Sequence, residues 1–395
     1  MPSNLTTVAF IYKNVYAAGS PVDIATREHP LLAKLAKKAG FGGNSFTYSI
    51  QYGNPQGISG TFADAQSGES AQSGVQLVAL RKKKYGIGVI DGEALAASMG
   101  DSAGFTELVT NTFDSTLSEH GDSIAFEIYR DGTGARGQRA SISTNTVTLS
   151  VADDARNFKK GMTVIASANA DGSSARAGNT TVASVDEDAG TVTLTSAAAI
   201  TAFANSDYLF RKGDPTTCIE GLEAINPLTT PTATPFRGVD RTADPRRLAG
   251  VRVNDTATSI LENAGLVAVK ISQVGKRADS VWLNPIRFWQ VARELNAKVE
   301  YDGGGTADYA FQYIVIHTPA GMLKVYSDPD APTNRGRVLN MESNYIKHLM
   351  EFPHVVEDDG NPSLRSTTAD SVEFRTRSFG NLIQMVPGAN GVFAI

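Results

Sequence analysis

The residues Asp131-Gly132-Thr133-Gly134-Ala135-Arg136-Gly137 spell the spacing G-x-G-x-x-G. Such glycines cradle a pyrophosphate only when a strand precedes them and a helix follows. Here a helical pattern precedes and a β pattern follows, so the segment reads as a flexible turn. The chain carries no G-x-x-x-x-G-K-[ST] phosphate loop. Its five histidines are His29, His120, His317, His348 and His354. None belongs to H-E-x-x-H, and His348 with His354 lacks a third ligand nearby. Asp186-x-Asp188 and Asp328-Pro329-Asp330 hint at a calcium loop but lack its alternating ligands and closing Glu. They read as turn residues. Cys218 is the single cysteine. It excludes an intrachain disulfide and zinc sites built on cysteine pairs, and reads as a small buried thiol. Trp282 and Trp289 read as core packing around one helix. No nucleophile, base and orienter converge, so no catalytic, cofactor or metal residue is assigned and the chain reads as non-enzymatic.

The elements that would position these residues follow from periodicity. A short helix over 31–38 closes at Gly40. Phe46, Tyr48, Ile50 and Tyr52 alternate with polar residues, which predicts a half-buried strand. A polar stretch from Gly53 to Gly74 follows, and Val75–Leu80 returns as a second strand. The pair forms a long β-arm whose tip has nothing of its own body to pack on, which makes sense if the arm lies on a neighbouring subunit. Arg81-Lys82-Lys83-Lys84 then reads either as a solvated charge cluster or as a patch for an acidic neighbour or nucleic acid. Phe105, Leu108, Val109, Thr112, Phe113, Thr116 and Leu117 keep helical spacing. They predict one helix over 101–129, capped by Asp101 and Ser102 and about 40 Å long, with a possible break at Gly121.

Between 138 and 214 the pattern changes to short strands at 146–149, 162–165, 180–185, 191–195 and 208–210, which predicts an inserted small sandwich or barrel. Pro227, Pro231, Pro235 and Pro245 mark a strap. Two helices follow, one capped by Asn254/Asp255 with Ile260 to Ile271 on one face, and one starting at Asn284-Pro285. Strands are expected over 311–317, 322–326, 345–350, 372–376 and 382–386.

Composition bounds the function. The 395 residues include 41% hydrophobic and 19% charged residues, with 36 Lys+Arg against 41 Asp+Glu for a net charge of -5. A real core is available, and the global balance offers no basic face for neutralising DNA phosphates. No stretch of about 18 apolar residues is present, so no membrane span is expected. The first residues lack the basic and apolar regions of a secretory signal.

The order of elements resembles that of the major capsid protein of tailed bacteriophages, the HK97-type fold. The residues that carry the resemblance are Tyr48-Ser49-Ile50-Gln51-Tyr52-Gly53-Asn54 entering the arm, and Lys83-Lys84-Tyr85-Gly86 with Ile90-Asp91-Gly92-Glu93-Ala94-Leu95 leaving it. Asp131-Gly132-Thr133-Gly134 after the long helix and Arg377-Ser378-Phe379-Gly380-Asn381-Leu382-Ile383 before Pro387 add to it.

The resemblance implies an α+β HK97-like fold: an N-terminal arm (1–45), an E-loop (46–90), a spine helix with the start of the P-domain (91–137), the inserted β domain (138–214), a linker with P-domain helices (215–300), an A-domain (301–369) and closing P-domain strands (370–395). It implies a shell protein of a virion, assembled in the host cytoplasm, whose partners are further copies of itself in pentamers and hexamers. A scaffolding protein, a portal and a decoration protein are further expected partners, with double-stranded DNA enclosed without sequence-specific binding. Inter-subunit contacts are expected at Tyr52, Asn54, Phe62, Arg81, Lys82, Lys83, Lys84, Asp328, Arg335 and Arg337. Two alternatives stay open: an encapsulin-type nanocompartment shell, and a glycan-binding surface protein suggested by the Thr-rich insertion.

Overall fold

The computed structural model describes residues 28–99, 102–295, 313–357, 363–366 and 369–395. The chain begins with α1 (Pro30–Lys34), which has Pro at its first turn and ends where Leu35 turns extended. The helix expected over 31–38 stops there, because β1 (Ala36–Ala39) pairs in parallel with the later strand Asn344–His348. Five residues cannot hold a helix by themselves, and the strand register decides the remainder.

β2 (Ser45–Gly53) and β3 (Ser73–Leu80) form the arm, antiparallel from Ser45↔Leu80 to Gly53↔Ser73. Its tip is not structureless: α2 (Phe62–Ser67) sits there, capped by Thr61, whose hydroxyl accepts from the Asp64 amide. β4 (Lys82–Asp91) belongs to the body instead of the arm. α3 (Gly92–Met99) leads to α4 (Ser102–Tyr129), 28 residues and about 42 Å long. The expected cap at Asp101 lies outside the described residues. The helix runs through Gly121 unbroken, because Ile124, Ala125, Phe126, Ile128 and Tyr129 are buried just beyond it. Their burial outweighs the roughly 1 kcal/mol penalty of a helical glycine.

The insertion is a closed barrel of β5 (Ala135–Ser143), β6 (Thr146–Leu149), β7 (Thr163–Ser167), β8 (Thr180–Asp186), β9 (Thr191–Leu194) and β10 (Tyr208–Arg211), in the order β10-β5-β6-β9-β8-β7. Val147, Val164, Val192, Leu194 and Leu209 alternate inward and fill it. The glycine motif is its doorway. Gly132 and Gly134 take φ of +86° and +87°, and the Thr216 amide donates to the Thr133 carbonyl at 3.0 Å. Entrance and exit of the insertion therefore touch, and a side chain at Gly134 would meet the Asp214 backbone at 3.0 Å.

α5 (Leu222–Ile225) precedes the proline strap, and α6 (Pro245–Ala249) with β11 (Val251–Val253) follows it. α7 (Ile260–Gln273) is capped by Ser259, not by Asn254 or Asp255. The Asp255 carboxylate instead accepts from the Ala257 amide. β12 (Ser280–Leu283) leads through Asn284, whose side chain accepts from the Ile286 amide, into α8 (Pro285–Leu295). Then come β13 (Tyr313–Thr318), β14 (Gly321–Ser327), β15 (Arg335–Leu339), β16 (Asn344–His348), β17 (His354–Val355), β18 (Ser363–Arg365), β19 (Ser371–Gln384) and β20 (Gly391–Ala394). The start of the strand expected over 311–317 lies outside the described residues. The strands expected at 372–376 and 382–386 are one 14-residue strand.

Two six-stranded sheets organise the body. One has the order β11-β20-β15-β12-β14-β13, with α7 and α8 packed on one face. Its other face places Trp282, Tyr326 and Leu339 against Ile124, Ile128 and Tyr129 of α4 and Leu31 of α1. Trp282 is core, whereas Trp289 is 60% exposed on the outer side of α8. The second sheet runs β1-β16-β19-β17, with β18 and β4 also paired to β19. Register along β4 runs from Lys82↔Gly380 to Asp91↔Ser371.

Ile124 is 0% exposed at the junction of α4 with these layers. Ile124→Ala should lower unfolding stability by about 2–5 kcal/mol, read from a urea melt with an unchanged m-value.

Candidate assembly surface

The polar groups of the molecule sort into those turned inward and those left outward. β4 shows the division most simply. On a strand, alternate side chains point to opposite faces. Lys82 and Lys84 turn inward and Lys83 turns out. Lys84 bonds the Glu127 carboxylate of α4 and, at 2.8 Å, Asp214 at the barrel exit. Burial lowers the affinity of the Lys84 amine for its proton, but the charges of Glu127 and Asp214 outweigh this and raise its pKa. Arg136 reaches the other Asp214 oxygen at 3.3 Å. Glu127, Asp214 and Cys218 are the one set of ligand-type residues, among the described ones, close enough to share a metal ion. The Lys84 ammonium already bonds both carboxylates there. Burial pushes the Cys218 thiol up, and the same two carboxylates add to the shift. A thiol held protonated in this way is inert.

A second network joins segments far apart in sequence. His29 Nε2 lies 2.7 Å from Asp122 of α4, and its Nδ1 lies 2.6 Å from Asp330. Lys159 of the barrel bonds Asp122 and, at 2.6 Å, Glu119; Arg211 at the barrel exit also bonds Glu119. Arg156 donates to the Pro329 and Ala331 carbonyls at 2.7 and 2.6 Å. Burial would lower the His29 pKa, but its hydrogen bonds to the two carboxylates prevail and raise it to about 9. His120, one residue from Glu119, does the opposite. Burial and the charges of Lys84 and Arg211 lower it to about 4, so it stays neutral between the Thr376 and Ser378 hydroxyls at 2.9 and 2.7 Å.

The residues expected at subunit contacts divide the same way. Arg81 donates to the Phe41 carbonyl at 3.2 Å, and Lys82 to the Thr216 carbonyl at 3.0 Å. Asp328 is 1% exposed and accepts from the Leu31 amide and the Tyr129 hydroxyl at 3.0 and 2.9 Å. Arg335 and Arg337 both bond Glu223, and Arg337 is 1% exposed. These side chains, with Lys84, are occupied within their own chain. Outward stand Phe62 at 83% exposure, Asn54, Lys83 and the half-exposed Tyr52.

Several surface residues escaped the sequence reading. Ile58 on the arm tip is 88% exposed, and Tyr85 and Ile87 on the outer face of β4 are 63% and 62% exposed. The alternation Lys83, Tyr85, Ile87 was visible in the sequence, but four adjacent cations masked it as a charge run. Nothing local could have signalled the His29 network, whose partners are 93 and 301 residues away. Gly100-Asp101-Ser102-Ala103-Gly104 also carries the G-x-S-x-G spacing of a nucleophile elbow. That motif needs a strand before it, whereas α3 precedes and Ser102 opens α4. Among the described residues no helix is long and apolar enough to cross a membrane.

Two measurements test these networks. Lys84→Met strands two buried carboxylates and should cost about 3–5 kcal/mol in a urea melt. For His29 the folded pKa is raised, so its contribution is complete below about pH 6.5 and is lost as pH climbs through about 9. The stability gap between wild type and His29→Gln should therefore be widest at pH 6 and close by pH 10.

No family model matches this sequence, and no curated protein does. Solved structures do match in shape over nearly the whole chain. A subunit from the capsid asymmetric unit of cyanophage A-1(L) is 13% identical with a TM-score of 0.54, covering 99% of this chain and 98% of that one. A subunit of the holo-SrpI encapsulin complex from Synechococcus elongatus PCC 7942 is 7% identical with a TM-score of 0.51, covering 98% and 94%. Arm, long helix and the two body sheets thus occur together in one known architecture, and the chain has the HK97-type fold seen in phage capsid and encapsulin subunits.

Proposed function

We propose that this chain is a major capsid protein that self-assembles into the icosahedral head shell enclosing the genome of a tailed bacteriophage. One observation carries the reading: on an HK97-type fold, the arm tip holds Ile58 and Phe62 at 88% and 83% exposure with none of the described body against them. Burying each on a neighbour would contribute roughly 1.5–3 kcal/mol per contact. Repeated around a ring, a head-to-tail contact closes into capsomers and leaves no free copy of the patch. The unpaired edges of the two-stranded arm would be covered in the same step.

In this reading pentamers and hexamers form in the host cytoplasm, with a scaffolding protein, a portal and a decoration protein as partners. DNA is enclosed without sequence-specific contacts, in keeping with a net charge of -5. The reaction is assembly, and no residue is assigned a catalytic role. The encapsulin neighbour supports a second reading, a nanocompartment shell enclosing cargo enzyme. Glycan binding inside the barrel is disfavoured, since Val147, Val164, Val192 and Leu209 occupy its interior at 0% exposure.

Sedimentation velocity of the purified chain, with electron micrographs of the fast fraction, tests the reading. Closed particles or five- and six-membered rings are expected, and co-purifying DNA or enzyme separates virus from compartment. Replacing residues 54–72 with a short turn should leave a folded subunit and abolish closed particles. A wild-type chain that stays monomeric at high concentration, with or without candidate scaffold, overturns the proposal.

A further inference from the structure

β4 and β19 present a second feature on the face turned away from α4. Beyond Lys83, the outward residues of β4 are Tyr85 and Ile87. Their register partners on β19 are Arg377 and Arg375. Val356 and Leu364, on the stretch between β16 and β19, form the opposite wall. Together these six residues line a groove of about 480 Å³. The inward side of β4 cannot turn to cover it. Side chains at Gly86 and Gly88 would meet Thr376 and Thr116 at 2.5 and 2.2 Å, so the strand is pressed onto α4 and β19. The groove is apolar at its floor and cationic at its rim, since Lys83 is exposed at one end and Arg375 and Arg377 stand along one side. Glu373, which bonds Arg375 at 2.7 Å, is the carboxylate on that stretch of β19.

The arm has the complementary composition. Between Ser45 and Leu80 there is no Lys and no Arg, and the charged residues are Asp64 and Glu69. Both lie at the tip, beside the exposed Ile58 and Phe62. We propose that the groove over β4 and β19 receives the arm tip of a second copy of this chain, with Phe62 and Ile58 on its apolar floor and Asp64 and Glu69 against its cationic rim. This deepens the shell reading above and rests on it. The chain's own tip and groove lie at opposite ends of the run from Ser73 to Asp91, which leads from the tip into the body. The contact is therefore head-to-tail between copies, the kind that propagates around a ring. Apolar anchors inside a charged rim are the usual anatomy of a protein interface, and the charges set register more than affinity.

Cysteine pairing tests this directly, because Cys218 is buried and inert. Phe62→Cys and Ile87→Cys are made singly and together, assembled, and oxidised with copper phenanthroline. The double variant should give a ladder of linked dimers and higher multiples on a non-reducing gel, and the single variants should not. A charge swap is the second arm. Asp64→Lys with Glu69→Lys should reduce assembly at least tenfold, and adding Lys83→Glu with Arg375→Glu should restore it. Particles that form in the double-cysteine variant without a ladder, together with no rescue, overturn this docking and leave the shell reading standing. A wild-type chain that forms no particles overturns both. Protection of the Ile87→Cys thiol from labelling by a short DNA duplex, equal in wild-type and tip-deleted backgrounds, assigns the groove to nucleic acid and overturns the proposal.

Discussion

The last three turns of α4 hold the molecule together through polar side chains that each reach a different part of the chain. Glu119 takes Lys159 and Arg211 of the inserted barrel, and Asp122 takes His29 of the N-terminal segment. His120 takes two hydroxyls of β19, Glu127 takes Lys84 of β4, and Tyr129 donates to Asp328. A charge withdrawn from water is costly unless paired with good geometry. Each of these groups therefore tolerates its burial only when the correct segment is in place. Dispersion and apolar burial would allow these layers to slide, whereas a hydrogen-bonded carboxylate allows one arrangement.

That constraint explains how the fold tolerates a whole barrel between α4 and the rest of the body. Entry and exit of the insertion touch through Thr133 and Thr216, so to the main body it is a short loop. Without Lys159, Arg156 and Arg211 it would swing on that doorway. With them it is fastened to α4 and to the 328–331 turn. The arm is treated differently. Its inner half is seated by Tyr48, Leu77 and Ala79 on Tyr345 and Ile383, and Arg237 of the proline strap bonds the Tyr48 hydroxyl at 2.9 Å. Its outer half has no such fastening. A rigid base with an unsupported apolar tip is sensible for a subunit whose binding surface is completed by another copy, because pre-ordering the base lowers the entropy cost of association.

Much of this organisation was legible. Five barrel strands, the arm pair and the caps around Asn284-Pro285 followed from alternation and turn residues. The order of elements was enough to name the fold that the cyanophage and encapsulin subunits share. Other residues were read by type and placed elsewhere. Arg81, Lys82 and Lys84 looked like surface charge and turned inward, and Arg337 and Asp328 are among the most buried groups in the body. Trp289 looked like core and stands in solvent. A residue's type states what it needs, and only its neighbours show how the need was met.

The sequence by itself determined the local facts: which segments alternate, which repeat every three to four residues, where glycine and proline interrupt, and that no catalytic constellation was spelled out. These depend on interactions within a few residues, so they can be read from spacing. Tertiary structure alone decided that Ala36–Ala39 is a strand, that Lys84 and Arg337 are interior, and that Tyr85 and Ile87 face outward beside Arg375 and Arg377. Each of those outcomes rests on a partner tens to hundreds of residues away. The free energy that selects it, the pairing of a buried charge or the closing of a sheet, exists only once the chain has brought the two together.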